Sequence, residues 1–369
     1  MAQTLFTQNV IAVIWDFDKT LTPSYMQTPL FTRFNVDEKK FWAESNGLAK
    51  NYRIRGAHNV SKDTLYLNHI LTYVREGIFK DLSNKLLYDL GAEIPFYEGL
   101  PDFFERLKNV VQINERFRKQ SITVEHYIVS TGLRQMIMGS SIAPFVEDVW
   151  GCEFVEGSVQ PNYLDTEKPG LFASANTGVI SDIAYSIDNT TKSRALFEIN
   201  KGGNKVPEID VNASLAPEDR RVPFQNMIYI ADGPSDVPAF SIVNHYGGRT
   251  LAVYKPKMRD QFVQANRLQT ENRVQGIGEA SYVEGSLTSL WLENAVEEIA
   301  TKIVSAREAA LRDKVGATPQ HILTDIPELA SRPAVAEEPV PPVAVPAVAE
   351  KKPPVSEVRL LQIDKVAAK

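Results

Sequence analysis

Two aspartates stand one residue apart at the end of an apolar run, in the segment IWDFDKTLT that starts at Ile14. Side chains two apart in a strand point to the same side, so we expect Asp16 and Asp18 to face one site. Neighbouring carboxylates repel unless a cation or a shared proton relieves them. The pair therefore predicts a magnesium site or a nucleophile beside a proton-transferring acid. Helix capping is the structural alternative.

A second acidic pair brackets a Gly-Pro turn that follows another apolar run. Asp232 ends that run, and Asp236 comes four residues later. Asp236 has a structural alternative, because an acid in the first turn of a helix interacts favourably with its dipole. Asp232 has no such local role. Acidic pairs at the ends of two strands favour a metal site that includes Asp16, Asp18, Asp232 and Asp236.

Two further segments have the residue types of a phosphate site. Ser130, Thr131 and Gly132 follow a strand-like run and precede a helical pattern. A hydroxyl and backbone N–H groups at a helix start can cradle a phosphate, although the same residues also form ordinary turns. Lys192 opens a helical pattern, where a cation opposes the helix dipole unless it faces an anion. We predict phosphate contacts from Ser130, Thr131 and Lys192.

These residues require a scaffold in which strand ends meet. Apolar runs predict strands at 10–18, 126–130, 227–232 and 250–254, and their continuous hydrophobicity indicates burial on both faces. Amphipathic patterns predict helices at 101–118, 133–142, 191–199, 235–244, 258–272 and 287–314. This alternation indicates an α/β fold with a Rossmann-like parallel sheet and helices on both faces. We interpret Gly276-x-Gly278 as a turn, and leave 157–190 as a long loop or a strand pair.

The predicted domain boundaries lie where the alternation of strands and helices is interrupted. Residues 23–97 are mostly helical in pattern and follow the first strand, so we expect them to form a cap over the carboxyl edge of the sheet. The core then comprises 1–22 and 98–314. The Pro-, Ala- and Val-rich tail, 315–369, is predicted to be disordered and available to a protein partner. Within the cap, Arg53 and Arg55 are candidates for substrate specificity, because they share a face if the segment is extended.

Composition excludes several classes of protein. The 369 residues include 40 Lys+Arg and 46 Asp+Glu, for a net charge of −6, so we expect no general binding to nucleic acid. No apolar run approaches the roughly 20 residues that a membrane-spanning helix needs. The single cysteine, Cys152, excludes an internal disulfide and a Cys-rich zinc site. With no signal-peptide pattern at the start, we expect a cytoplasmic protein without a membrane partner.

The four signals, in the order Asp-x-Asp-x-Thr, Ser, Lys and Asp-Gly-x-x-Asp, resemble the haloacid dehalogenase superfamily of phosphohydrolases. The start DFDKTLT and the helical insertion after it look most like the branch that includes phosphoserine phosphatase. The resemblance covers roughly residues 8–285. It departs from many relatives at Ala231 and Ser235, where they have Gly and Asn, but both acidic positions are present.

The resemblance implies a role for each matching residue. Asp16 attacks phosphorus and forms an aspartyl-phosphate, while Asp18 protonates the leaving group and then activates water. Ser130 and Lys192 hold the phosphoryl oxygens. A Mg²⁺ ion binds to Asp16, the backbone carbonyl of Asp18 and Asp232, with support from Asp236.

We therefore expect a magnesium-dependent phosphatase that hydrolyses a small phosphorylated metabolite. Two alternatives remain. One is a non-catalytic protein that binds a phosphorylated ligand or a partner on the same scaffold, and the other is a phosphotransferase with an acceptor other than water. The presence of both Asp16 and Asp18 favours an enzyme. The motifs handle only the phosphate, so they do not indicate which metabolite is the substrate.

Overall fold

The computed structural model describes residues 4–157 and 178–315. Apart from residue 315, the predicted tail lies outside the described residues. Residues 158–177, in the middle of the 157–190 stretch, lie outside them as well. The strands are β1 (Val10–Trp15), β2 (Thr123–Leu133), β3 (Asp148–Glu156), β4 (Ile180–Tyr185), β5 (Met227–Ala231), β6 (Arg249–Tyr254) and β7 (Gly276–Glu279).

These seven strands form one sheet in the order β4-β3-β2-β1-β5-β6-β7. Every neighbouring pair is parallel except β3 and β4, which are antiparallel. The predicted α/β fold with a Rossmann-like parallel sheet is confirmed. All six residues of β1 are buried, as expected for a central strand covered on both faces. Strands β2 to β4 lie on one side of β1, and β5 to β7 lie on the other side. The order of the strands therefore reverses at β1, which creates a crevice at the carboxyl ends of β1 and its neighbours.

The helices surround this sheet. They are α1 (Thr28–Arg33), α2 (Glu38–Ile54), α3 (Lys62–Arg75), α4 (Asn84–Gly91), α5 (Asp102–Gln112), α6 (Glu115–Lys119), α7 (Arg134–Met138), α8 (Lys192–Lys201), α9 (Val237–His245), α10 (Arg259–Thr270) and α11 (Leu287–Lys314). Helices α5 and α11 pack together on one side, while α8 and α9 pack together elsewhere against β2 and β5. The first four helices fall within 23–97, and the division into core and cap stays a prediction.

Aromatic packing holds β1 to the helices beside it. The Trp15 ring meets Phe103, Phe104 and Tyr282 edge-on, at centroid distances of 6.3, 5.6 and 5.7 Å. Phe103 and Phe104 belong to α5, and Tyr282 precedes α11. Edge-to-face aromatic pairs add stabilisation beyond the area they bury. These contacts therefore anchor the end of β1, directly before Asp16, to α5 and to the segment before α11.

Several element boundaries differ from prediction. Gly276 begins strand β7 and does not form the predicted turn. Its backbone pairs with β6, and this pairing holds the edge strand although two of its four residues are glycines. The predicted helix 101–118 is divided at Asn114, whose side chain caps α6 by accepting from the Arg116 N–H. The 157–190 stretch contains β4, which makes a strand pair with β3. Within the described residues, no helix combines the length and apolar character needed to cross a membrane.

Helices α4 and α7 approach so closely that only glycine fits between them. A Cβ atom added at Gly139, which ends α7, would overlap the backbone carbonyl oxygen of Tyr88 in α4. By contrast, a Cβ atom at Gly47 in α2 would meet nothing within 4 Å. The same substitution should therefore have opposite effects at the two positions.

We predict that Gly139→Ala lowers the free energy of unfolding by about 3 kcal/mol, because the backbone of α4 must move. We predict that Gly47→Ala raises it by about 0.5–1 kcal/mol, because alanine favours the helix. Urea denaturation of both variants beside the wild-type protein measures the two changes. Equal effects of the two substitutions would contradict the close approach of α4 and α7.

Candidate active site

The carboxyl ends of β2, β1 and β5 bring most of the predicted residues together. Asp16 directly follows β1, and Asp232 directly follows β5. Ser130 and Thr131 lie near the end of β2, and Lys192 is the first residue of α8. Because neighbouring parallel strands end at the same edge of the sheet, residues far apart in the chain share one crevice.

Asp16 is held by a hydrogen bond to each of its carboxylate oxygens. Its Oδ1 accepts from Lys192 Nζ at 2.7 Å, and its Oδ2 accepts from Thr20 Oγ1 at 3.1 Å. The side chain is almost completely buried. Burial raises the pKa of Asp16 to about 6, although Lys192 acts in the opposite direction. These contacts fix the rotation of a carboxylate that lies among other charges.

Lys192 connects two carboxylates in the interior. Its Nζ donates to Asp16 Oδ1 and to Asp236 Oδ1, the latter at 2.6 Å, and only 1% of the residue is exposed. Burial disfavours the charged amine, but the two carboxylates outweigh burial and raise the pKa of Lys192. The ammonium therefore stays charged. It links α8 to Asp16, which follows β1, and to Asp236, which lies in the turn after β5.

Asp236 and Asp232 complete an acidic cluster with Asp16. One carboxylate oxygen from each of the three lies within 4.8 Å of the others. Asp236 also accepts hydrogen bonds from Tyr229 Oη at 2.6 Å and Ser235 Oγ at 2.7 Å. Burial, then Asp16 and Asp236, raises the pKa of Asp232 to about 7. Three carboxylates surround one ammonium, so the cluster keeps an excess of negative charge.

Asp18 faces a neighbouring part of the same site. Its Oδ1 accepts the backbone N–H of Met26 at 2.8 Å, and its side chain lines a cavity. Burial and the charge of Asp16 raise its pKa to about 8. The carboxyl group of Asp18 therefore keeps its proton to a higher pH than that of Asp16. The two pKa values differ in the direction that a proton-donating acid and a nucleophile need.

The segment Ser130–Gly132 precedes a helix, as predicted, but it belongs to the strand. Strand β2 continues to Leu133, which is the N-cap of α7, so these residues lie within an irregular strand end directly before the helix. Ser130 Oγ accepts the Gly132 N–H at 3.0 Å, and Tyr66 Oη donates to the Thr131 carbonyl at 2.6 Å. The strand persists because its register with β3 shifts after Val129 and then resumes at Leu133. The predicted phosphate contacts of Ser130 and Thr131 would therefore come from a bulged strand.

A cavity of about 1130 Å³ opens beside Asp18, Thr131 and Gly132 and extends to α2 and α3. Arg53 and Arg55 are not among its lining residues, and their role in substrate specificity stays a prediction. Their segment is the end of α2, and helical residues two apart point in different directions, so they do not share a face. The lining cations, within the described residues, are Lys39 and Lys62.

Sequence reasoning missed three residues that hold the site. Thr20, which bonds Asp16, stands in the Asp-x-Asp-x-Thr motif, so its spacing could have indicated a role. Tyr229 and Met26 carry no such signal, because both are buried and have the pattern of ordinary core residues. Only the folded chain brings the Tyr229 hydroxyl to Asp236 and the Met26 N–H to Asp18.

Comparison with known proteins gives one clear relationship. No family model matches the chain. An uncharacterized protein of Borreliella burgdorferi is 40% identical over 289 residues, which cover 77% of this chain and 96% of that protein. This chain belongs to the same family. The match therefore covers nearly the whole length of the Borreliella protein.

Solved structures give more distant matches. A HAD-family hydrolase from Salmonella enterica serovar Typhi matches with a TM-score of 0.45 and 11% identity, over 77% of this chain and 70% of its own. A phosphoserine phosphatase in apo form matches with a TM-score of 0.38 and 14% identity, over 72% and 92%. Because both scores lie below 0.5, the fold assignment rests on the strand order and on the geometry of the site.

The buried ion pairs of Lys192 should make it far more important for stability than a surface lysine. We predict that Lys192→Met lowers the free energy of unfolding by about 3–5 kcal/mol, because Asp16 and Asp236 lose their buried partner. Lys85 is the matched control, since its partner Asp89 is exposed. We expect Lys85→Met to change stability by less than about 0.5 kcal/mol. Urea denaturation at neutral pH measures both, and equal losses would contradict the predicted role of burial.

Proposed function

We propose that this protein is a magnesium-dependent phosphatase that hydrolyses a small phosphorylated compound through Asp16. The observation that carries the proposal is the buried ammonium of Lys192, which bonds Asp16 beside two further carboxylates. An ionised Asp16 next to a protonated Asp18 is the pair that two-step phosphoryl transfer requires. The resemblance of the four sequence motifs to phosphohydrolases supports the same chemistry.

In the first step, an oxygen of Asp16 attacks phosphorus and the bond to the leaving-group oxygen breaks. Asp18 gives its proton to that oxygen, so the product leaves as a neutral alcohol. In the second step, a water molecule attacks the aspartyl-phosphate, and Asp18 accepts a proton from it. Inorganic phosphate leaves and Asp16 is restored. Lys192 and Thr20 hold the carboxylate of Asp16 in one orientation throughout.

The phosphoryl oxygens need hydrogen-bond donors. Lys192 already bonds Asp16, so its ammonium lies next to the attacking atom. The Ser130 oxygen accepts from Gly132, and within the described residues its own O–H has no acceptor. We propose that this O–H and the Thr131 segment contact the phosphoryl group. Donors placed where negative charge develops lower the barrier without reorganisation.

The acidic cluster fits a hard divalent cation. Carboxylate oxygens are the ligands that Mg²⁺ prefers, and the cluster has more negative charge than Lys192 neutralises. We propose Asp16, Asp232 and the backbone carbonyl of Asp18 as ligands. Asp236 supports them, because Lys192, Tyr229 and Ser235 already occupy its oxygens. The bound cation would supply the positive charge that lets a phosphate dianion approach these carboxylates.

Replacement of the nucleophile tests the mechanism. We predict that Asp16→Asn lowers phosphatase activity by more than about a thousandfold, because an amide cannot form the aspartyl-phosphate. The measurement is release of inorganic phosphate from a panel of phosphorylated metabolites with Mg²⁺ present. Asp260→Asn, on the exposed first turn of α10, is the control and should keep wild-type activity. Normal activity in Asp16→Asn would refute the proposal.

Magnesium binding has a readout that does not depend on activity. We predict that Mg²⁺ at about a hundred times its dissociation constant raises the free energy of unfolding by about 2.7 kcal/mol, since it binds only the folded protein. Thermal unfolding with Mg²⁺ or with a chelator measures this change. Asp232→Asn should lose most of the stabilisation, while Asp260→Asn should retain it. A stabilisation that survives in Asp232→Asn would place the ion elsewhere.

A further inference from the structure

The cavity beside Asp18 has to receive the part of the substrate that leaves with its oxygen, if the proposed phosphatase function holds. It opens at Asp18, Thr131 and Gly132 and is closed on other sides by residues of α2, α3 and the segment before α1. The chemistry of these walls therefore selects the leaving group, separately from the residues that handle phosphate. This selection rests on the proposed phosphatase function.

The charges of the cavity are arranged unusually for an enzyme with an anionic substrate. Glu38 and Asp63 are half-buried, and neither has a salt bridge within the described residues. The lining lysines, Lys39 and Lys62, are both exposed at the rim. Burial, and next the charge of Asp188, raises the pKa of Asp63, and these two effects outweigh Lys192 and Lys62, which act in the opposite direction. The inner wall thus favours a positively charged group.

An aromatic wall lies beside these carboxylates. The ring centroid of Trp42 is 5.2 Å from that of Tyr25 and 5.8 Å from that of Tyr66, and all three residues line the cavity. The faces of such rings attract cations. The Lys19 ammonium already lies 4.1 Å from the centroid of the Tyr25 ring. The wall therefore has the electronic character that an ammonium group prefers.

Gln27 supplies an independent indication. It lines the cavity, only 2% of it is exposed, and within the described residues its side-chain Oε1 has no hydrogen-bond partner. A buried amide without a partner costs free energy that a bound ligand can recover. Because the unpaired atom is an acceptor, the matching ligand group is a donor. An ammonium group satisfies this need as well as those of the carboxylates.

A carboxylate on the substrate would have only the exposed Lys39 and Lys62 as cationic partners among the described residues that line this cavity. Among the described residues that line it there is no arginine, the side chain that binds carboxylates in a bidentate manner. A free carboxylate would also meet Glu38 and Asp63. The walls therefore distinguish an amino alcohol from an amino acid.

We propose that the substrate is a phosphomonoester of an alcohol that carries an ammonium group and no carboxylate. Asp63 and Glu38 bind the ammonium, Gln27 accepts from it, and Trp42 and Tyr66 pack against its carbon atoms. The phosphate lies at Asp16, beside the end of the cavity that Asp18, Thr131 and Gly132 line. Primary and quaternary ammonium groups both suit the carboxylates and the aromatic wall, but only a primary ammonium can donate to Gln27, and the experiment separates the two.

The test compares substrates of equal shape and different charge in the wild-type protein. Aminoethyl phosphate is paired with propyl phosphate, and choline phosphate with the analogue in which a tert-butyl group replaces trimethylammonium. We expect kcat/KM for at least one cationic substrate to exceed that of its neutral partner about tenfold or more. The pair with the larger ratio identifies the primary or the quaternary ammonium. Phosphoserine should be a poorer substrate than aminoethyl phosphate.

Substitution of Asp63 tests the assignment of the residues. We expect Asp63→Asn to lower the ratio of kcat/KM between the cationic substrate and its neutral partner about tenfold. Glu76→Gln removes one negative charge at the exposed end of α3 and should leave this ratio unchanged. Because the measure is a ratio within one variant, a partial loss of folded protein does not affect it.

The outcomes separate this inference from the proposed function. Equal turnover of cationic and neutral partners, or a preference for phosphoserine, would overturn the inference while leaving the phosphatase intact. Absence of turnover on every compound, including a simple aryl phosphate, would refute the phosphatase. In that case calorimetric binding of the same paired compounds decides the inference. Preference for the cationic member would support it, and equal or absent binding would reject it.

Discussion

The buried contact between Lys192 and two carboxylates is the interaction on which the site depends. Charges withdrawn from water cost several kcal/mol each, and only good geometry with further hydrogen bonds offsets that cost. Here Thr20, Tyr229 and Ser235 provide those bonds to Asp16 and Asp236. The contact joins three parts of the chain that are distant in sequence, so it requires the sheet and helix α8 to be in place. The apolar core around β1 holds these elements together.

Much of this site could be predicted from sequence, because strand ends are local signals. An apolar run that ends in a carboxylate specifies both a strand and the edge at which its last residue lies. That logic gives Asp16, Asp18 and Asp232 without knowledge of the fold. Lys192 is recognised in a similar way, since a cation at a helix start is unfavourable unless it has an anionic partner. The structure supplies that partner in Asp16 and Asp236.

The features that escaped prediction depend on tertiary contacts. Strand β2 extends past Ser130 because β3 pairs with it again at Leu133, and no property of the segment itself indicates this. The expectation that Arg53 and Arg55 share a face was wrong, because α2 is a regular helix up to Ile54. Strand β7 contains two glycines in four residues and is a strand only because β6 lies beside it. Local pattern therefore located the chemistry better than it located element boundaries.

The electrostatics of the site and of the cavity are consistent with each other. A phosphate dianion would meet carboxylates in two places, at Asp16 in the site and at Glu38 and Asp63 in the cavity. Its entry therefore needs positive charge in both places. At the first place Lys192 and the proposed divalent cation provide it. At the second place the lysines of the described lining are exposed, and the proposed substrate brings its own positive charge. A molecule with phosphate at one end and ammonium at the other can then bind in only one direction. In the reverse direction its phosphate would face Asp63, and its ammonium would lie beside Lys192.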